Sequence, residues 1–282
     1  MKRPFQTMIL LLALMLFGLF GCSGENTEVK DYEVREFTLQ REEMNIYGEL
    51  YVPNDLEGKA PVVILSHSSG LNADSMQPYC HGFANRGYVA YAFDFCGGSK
   101  HSRSDGAETD MTVFTETDDL KAVFEAISKL DFVDPERIYL FGTSQGGLVS
   151  ALVANDLADR VKGLILLYPA FNIPELVRMS EKFGDFQFGS TQTGEAFRET
   201  LKEFDPYEHI GNFQGEVLIV HGTMDFIVKS SYSQRAAEVY ARCTLELISG
   251  ASHGFNAKNY SLFGDYDEQV WKAIDAYLNE SS

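Results

Sequence analysis

Cysteine, tryptophan and basic residues are all scarce in this chain. Its 282 residues include four cysteines and one tryptophan, and 23 Lys and Arg stand against 41 Asp and Glu. The cysteines (Cys22, Cys80, Cys96 and Cys243) show no C-x-x-C spacing, which argues against a zinc site or a disulfide framework. A formal net charge of -18 argues against nucleic acid or a polyanionic ligand as partner, since binding phosphates needs a basic surface. Internal repeats and low-complexity tracts are absent as well.

What is present begins with a leader. Lys2 and Arg3 form a positive n-region ahead of the apolar run Met8 to Phe20. That run is shorter than the roughly 20 residues a membrane span requires, and it sits where a secretory signal belongs. It ends in Leu19-Phe20-Gly21-Cys22, which resembles a bacterial lipobox, although Phe20 is uncommon at its place in that motif. The expectation is a lipoprotein-type signal peptide over residues 1–21 and lipidation of Cys22. The protein would then be exported and held at a membrane by an N-terminal lipid anchor, at the cell surface or in the periplasm. An ordinary cleaved signal and an uncleaved anchor are the alternatives. Residues 22–31 are polar and acidic and read as a tether, leaving 32–282 for one domain with a sizeable core. Loss of Lys2 and Arg3 moves the net charge from -18 to about -20. With Cys22 assigned to lipid, three cysteines remain, and one bridge or three free thiols both stay open.

Tyr32 to Leu39 and Ile46 to Val52 alternate polar and apolar residues, predicting an antiparallel hairpin at a sheet edge. From Pro61-Val62-Val63-Ile64-Leu65-Ser66 onward the strands are continuous apolar runs, the type buried on both faces of a parallel sheet. Further runs follow at Tyr88 to Asp94, Arg137 to Phe141, Val161 to Tyr168, Glu216 to Val220 and Thr244 to Ile248. Helices are predicted at Asp74 to Arg86, Thr115 to Leu130, Ser144 to Asn155, Ser231 to Arg242 and Tyr266 to Leu278. The second carries Leu120, Val123, Phe124, Ile127 and Leu130 on one stripe. Such alternation implies an α/β fold with a mostly parallel sheet, helices on both faces and a site beyond the C-terminal strand ends. Residues from Phe171 to about Asn212 contain no good strand but many aromatics, and read as a lid or binding loop.

Gly142-Thr143-Ser144-Gln145-Gly146 follows the Arg137 run directly and precedes a small-residue helix start. Glycines on both sides of one serine suit a turn too crowded for side chains, with the serine lifted to a helix N-terminus. A serine hydroxyl needs a base in hydrogen-bond reach, itself oriented by a carboxylate. Asp225, in His221-Gly222-Thr223-Met224-Asp225, ends one strand, and His253, in Ser252-His253-Gly254-Phe255, follows the next. The loop Ser66-His67-Ser68-Ser69-Gly70 can aim a backbone amide at an oxyanion, alongside the amide of Gln145. Ser69 is the donor assigned there, with Ser68 second. These parts together read as a serine hydrolase that needs no metal or organic cofactor.

With these residues in place, the chain resembles the α/β-hydrolases, and among them the carboxylesterases that include bacterial feruloyl or cinnamoyl esterases. The matching pieces are His67 to Gly70, Phe93-Asp94-Phe95-x-Gly97-Gly98-Ser99, Gly142 to Gly147, His221 to Asp225 and Ser252 to Phe255. The resemblance implies an α/β-hydrolase fold with catalytic Ser144, Asp225 and His253 and oxyanion amides on Ser69 and Gln145. It also implies a small-molecule or polysaccharide-linked ester as substrate. The family has His-Gly where this chain has His67-Ser68, so a side chain occupies a position that normally has none.

Plainer readings compete. Ser144 could be a helix N-cap, Asp225 a loop carboxylate and His253 a loop histidine, with Asp205 and Asp185 as weaker rivals to Asp225. His67 and His221 read as structural pins, and His81, His101 and His209 as exposed. Asp94 reads as a brace for its loop. The lid aromatics read first as a small core and second as the lining of an acyl pocket. Other functions weighed are a peptidase related to prolyl oligopeptidases, whose large gating domain this chain has no room for, and an acyltransferase or thioesterase. A non-catalytic binding lipoprotein is the reading from another class. A hydrolase of the dienelactone type would use a cysteine nucleophile, absent here.

Overall fold

A computed structural model describes residues 31–183, 191–255 and 266–281. The expected signal peptide and Cys22 lie outside the described residues, as do Asp185, Phe186 and Phe188 of the lid. Ten strands are formed: β1 (Tyr32–Glu36), β2 (Leu39–Arg41), β3 (Met44–Ile46), β4 (Gly48–Pro53), β5 (Ala60–Ser66), β6 (Val89–Phe93), β7 (Val133–Thr143), β8 (Gly163–Leu167), β9 (Glu216–Gly222) and β10 (Cys243–Ile248). The helices are α1 (Gln77–Ala84), α2 (Val113–Ile127), α3 (Gln145–Asp156), α4 (Ile173–Phe183), α5 (Glu195–Leu201), α6 (Ser230–Val239) and α7 (Asp267–Ser281).

Eight strands form one sheet in the order β1-β4-β6-β5-β7-β8-β9-β10. The β1–β4 and β4–β6 pairs are antiparallel and the rest are parallel. The apolar runs explain why. Val62 and Ile64 of β5 face one core with α2, α3 and α6, while Val63 and Leu65 face a second core with α1 and α7. A strand buried on both faces has no polar side to alternate, and each such Val, Leu or Ile contributes about 1.5–3 kcal/mol. Because the central strands run the same way, the loops after β5, β7, β9 and β10 open on one rim.

Three local expectations need correction, at the first strand, the Asp74 helix and His81. The first strand ends at Glu36 instead of Leu39: Phe37 N–H still bonds Gly48 O at 2.9 Å, but Leu39 then pairs with Ile46 in a separate β2–β3 hairpin. The Asp74 helix divides into a 3-10 turn, Ala73–Met76, and α1. The lid contains α4 and α5, and its Phe171, Phe197 and Tyr207 are buried in the α2–α3 core, so these aromatics hold it to the body. His81 is partly buried: its ring hydrogen-bonds the Tyr32 hydroxyl and meets Tyr51 edge-on at 5.2 Å. Cys80, Cys96 and Cys243 are free thiols.

Candidate active site

Between β7 and α3 the chain turns so sharply that Ser144 adopts φ 50 and ψ -116. A Cβ on Gly142 would come within 2.2 Å of Gly146 O, and one on Gly146 within 2.3 Å of Ser66 O. Both contacts are to backbone, so only glycine fits. The strained serine is held by its own N–H on Leu167 O at 3.0 Å and by Ala170 N–H on its carbonyl at 2.9 Å. Strain of this kind persists only where surrounding bonds over-determine it.

Beyond the ends of β9 and β10, the two expected partners converge on that serine. His253 Nε2 lies 3.1 Å from Ser144 Oγ, and His253 Nδ1 lies 2.7 Å from Asp225 Oδ2. Facing a carboxylate, Nδ1 carries the proton, which leaves Nε2 free to accept from the serine hydroxyl. Asp225 is buried and accepts four hydrogen bonds. Its Oδ1 takes Ile227 N–H at 2.9 Å and Val228 N–H at 2.8 Å, and Oδ2 takes a second imidazole, His221 Nε2–H, at 3.1 Å. Burial alone would raise its pKa, but the bonds from His221 and His253 outweigh burial and hold it well below the usual aspartate range. His221 is fixed in turn, its Nδ1 accepting from the Ser233 hydroxyl at 2.7 Å and its Nε2–H also reaching Val228 O at 2.8 Å. Sequence reasoning placed His221 only as a loop pin; its spacing of four residues from Asp225 is the signal that links it to the acid.

Tyr168 is the other residue the sequence did not single out. It follows β8 with φ 40, and its ring packs on His253 at 4.5 Å and on Phe255 at 5.2 Å. Its buried hydroxyl is turned towards Thr143, the residue before Ser144.

Around the His67 loop the structure shows how the missing glycine is accommodated. His67 is buried; its Nε2 accepts Phe95 N–H at 3.1 Å and its Nδ1–H donates to Ser68 O at 2.8 Å. Burial lowers its pKa, so it serves as a neutral pin. The Ser68 hydroxyl bonds Thr143 Oγ1 at 2.8 Å, tying this loop to the end of β7. Ser69 Oγ meets the lid at Thr191 Oγ1, 3.3 Å away. Gln145 opens α3, where a first-turn N–H lacks an intrahelical acceptor, and its side chain turns inward to Glu116. Asp94 braces its loop as expected, accepting Ala73 N–H at 2.7 Å and Arg103 N–H at 2.7 Å, with the Arg103 guanidinium bidentate on it.

Of the other expected histidines, His101 and His209 are exposed. Phe226 and Ile227, on the loop carrying Asp225, are 78% and 58% exposed. A cavity of about 400 Å³ lies between α2, the far half of α3 and Phe204, and no triad residue lines it. Among the described residues, no group of three or more His, Cys, Asp or Glu could hold a metal ion, and no helix is long and apolar enough to cross a membrane.

A mostly parallel sheet with a strained serine between β7 and α3, and acid and histidine loops after β9 and β10, defines a hydrolase of the α/β class. The chain belongs to the prolyl oligopeptidase family, whose pattern it matches over residues 75–278. Among curated proteins it is 30% identical over 109 residues to an uncharacterized 31.7 kDa protein in the traX-finO intergenic region of Escherichia coli, covering 38% of this chain and 36% of that one. The match thus spans about a third of the curated relative. Its fold is shared with the ferulic acid complex of Est1E from Butyrivibrio proteoclasticus, at TM-score 0.73 and 24% identity, covering 86% of this chain and 98% of that one. It is shared too with a monoacylglycerol lipase from Paleococcus ferrophilus, at TM-score 0.63 and 18% identity, covering 84% and 99%.

Proposed function

We propose that this protein is a serine carboxylesterase working through Ser144, His253 and Asp225. The observation that carries the reading is the continuous chain from Ser144 Oγ to His253 Nε2 at 3.1 Å and from His253 Nδ1 to Asp225 Oδ2 at 2.7 Å. Ser144 Oγ attacks the ester carbonyl while Nε2 takes its proton, and Asp225 stabilises the imidazolium that forms. The backbone amides of Ser69 and Gln145 hold the tetrahedral oxyanion. Nε2–H then protonates the departing alcohol, and a water activated by the same nitrogen releases the acid from the acyl-enzyme.

The substrate class favoured is a feruloyl or other acyl ester of a plant polysaccharide, a reading supported by the fold shared with Est1E, whose structure holds ferulic acid. Export and a lipid anchor at Cys22 complete the proposal and rest on the leader sequence. Membership of the prolyl oligopeptidase family favours one second reading, a peptidase with the same acyl-enzyme chemistry. A fluorophosphonate probe is expected to label Ser144, with labelling and aryl-ester turnover lost in Ser144→Ala; a variant that still labels and turns over overturns the assignment. Short-chain, long-chain and feruloyl esters run beside aminoacyl anilides separate the esterase from the peptidase. Faster anilide cleavage would favour the peptidase.

A further inference from the structure

Glu116 is a buried carboxyl group that the triad does not use. It lies in the first turn of α2, 1% exposed, where a reciprocal cap fixes the helix start. Thr115 N–H donates to Thr112 Oγ1 at 3.0 Å, and Thr112 N–H to Thr115 Oγ1 at 2.8 Å. Gln145 Nε2–H donates to Glu116 Oε2 at 2.7 Å. The Gln145 side chain is buried too: Met111 Sδ at 3.9 Å is a weak contact, and no described residue donates to its Oε1. Glu116 is therefore the strong polar anchor, among the described residues, of the side chain next to the nucleophile.

We infer that Glu116 is a positioning residue: its buried hydrogen bond to the Gln145 side chain holds that residue, and with it the oxyanion-binding N–H beside the nucleophile, in place. This rests on the Ser144 acyl-enzyme reading above. The groups packed around Glu116 fit the role. From its own helix comes Asp119, which accepts Arg41 Nε–H of β2 at 2.6 Å and Cys96 N–H at 2.8 Å. The guanidinium of Arg41 is thus committed to Asp119. From α3 comes the Gln145 amide, and from the loop before α2 the Met111 thioether. Burial pushes Glu116 up, the Gln145 bond pulls it partly back, and the charge of Asp119 adds to the rise, leaving it at about 8. At neutral pH the group is an uncharged acid. Above that range a buried negative charge lies one side-chain hydrogen bond from Gln145 and opposes the negative charge that develops on the oxyanion.

The test is kcat/KM for p-nitrophenyl acetate from pH 6 to 9.5 on the full chain, with activity recovered on return to pH 7 at every point. The wild-type profile is expected to fall by about tenfold above pH 8, a drop carried by kcat with KM steady. Glu116→Gln cannot ionise and is expected to lose the descending limb; Glu116→Met, which also lacks the anchor, loses the limb and has lower kcat throughout. The proposal is overturned by a wild-type profile flat to pH 9.5, or by a limb that persists in either folded variant. Fluorophosphonate labelling at pH 7 reports on the nucleophile separately, so failure of the serine reading is told apart from failure of the Glu116 role. Stability supplies a second readout. The native state keeps a proton that the unfolded chain releases above 4.5, so the stability that Glu116 contributes is full below that pH and declines as the pH rises towards about 8. Glu116→Gln removes that slope; an unchanged slope also overturns the proposal.

Discussion

Asp225→Asn keeps the shape of the triad acid and changes only its hydrogen-bonding capacity. In the native protein the two carboxylate oxygens meet four donors: Ile227 N–H and Val228 N–H on Oδ1, and His253 Nδ1–H and His221 Nε2–H on Oδ2. An asparagine has one oxygen to offer. If that oxygen takes the backbone N–H groups, its NH2 faces two imidazole N–H groups; if the amide turns over, the NH2 faces the backbone pair. His221 keeps its bond to Val228 O, so the first orientation leaves one buried donor without an acceptor and the second leaves two, at about 1–3 kcal/mol each, and stability should fall by about 1–6 kcal/mol. His253 can relieve its share by moving its proton to Nε2, but that nitrogen can then no longer accept from Ser144. A wrong tautomer of this kind costs about 10⁴ in rate, or about 5 kcal/mol at about 1.36 kcal/mol per decade. The measurements are kcat/KM on an aryl ester, the second-order rate of fluorophosphonate labelling, and urea unfolding. A folded variant within tenfold of wild type in kcat/KM would refute the reasoning. The same carboxylate sets an acid limit. Its pKa is lowered in the fold, so the stability it contributes is present above its ordinary value of 3.8 and is lost as the pH falls below it.

Tyr168→Phe keeps the ring against His253 and loses only the hydroxyl turned towards Thr143, so kcat is expected within about fivefold of wild type, since a neutral hydrogen bond contributes about 1 kcal/mol. Tyr168→Leu removes the ring; kcat should fall by more than in Tyr168→Phe while KM holds, with a thermal melt locating a stability loss of about 2–4 kcal/mol. Equal kcat in the two variants would mean that the ring does not position the histidine. Lipid anchoring predicts that cells expressing the full chain incorporate labelled palmitate into it and that Cys22→Ser abolishes incorporation. Undiminished incorporation in that variant would remove Cys22 from the proposal.

The sheet was legible because its central strands are unbroken apolar runs whose alternate residues fill two cores, a pattern that composition alone displays. Where burial depends on a distant polar partner, the sequence is silent. Glu116 and Asp119 stand four residues before Leu120 and Val123, in line with the apolar stripe of α2, and are buried, but the partners that meet their carboxyls, Gln145 and Arg41, come from distant elements. His81 read as exposed for the same reason, its partners Tyr32 and Tyr51 lying on strands that only the β1–β4 pairing brings over α1. The first strand was read too long because polar-apolar alternation continues through Phe37, while Leu39 leaves β4 to pair with Ile46 of β3. The serine, histidine and aspartate positions were accessible from their places after strands. Their support was less so: Tyr168 follows a strand like any loop tyrosine, and its backbone strain leaves no trace in residue type.

The way Asp225 is held divides its loop into two kinds of position. Ile227 and Val228 serve the acid through their N–H groups alone, and Phe226 points 78% of its surface outward. The chemistry therefore places almost no demand on the side chains at 226 and 227 beyond forbidding proline at 227, whose missing N–H would leave Oδ1 with the Val228 N–H alone. Such a loop can exchange apolar for polar or large for small residues beside the reacting centre while the acid stays where it is. Within this scaffold, selectivity is free to drift at 226 and 227 without a matching drift in the catalytic step.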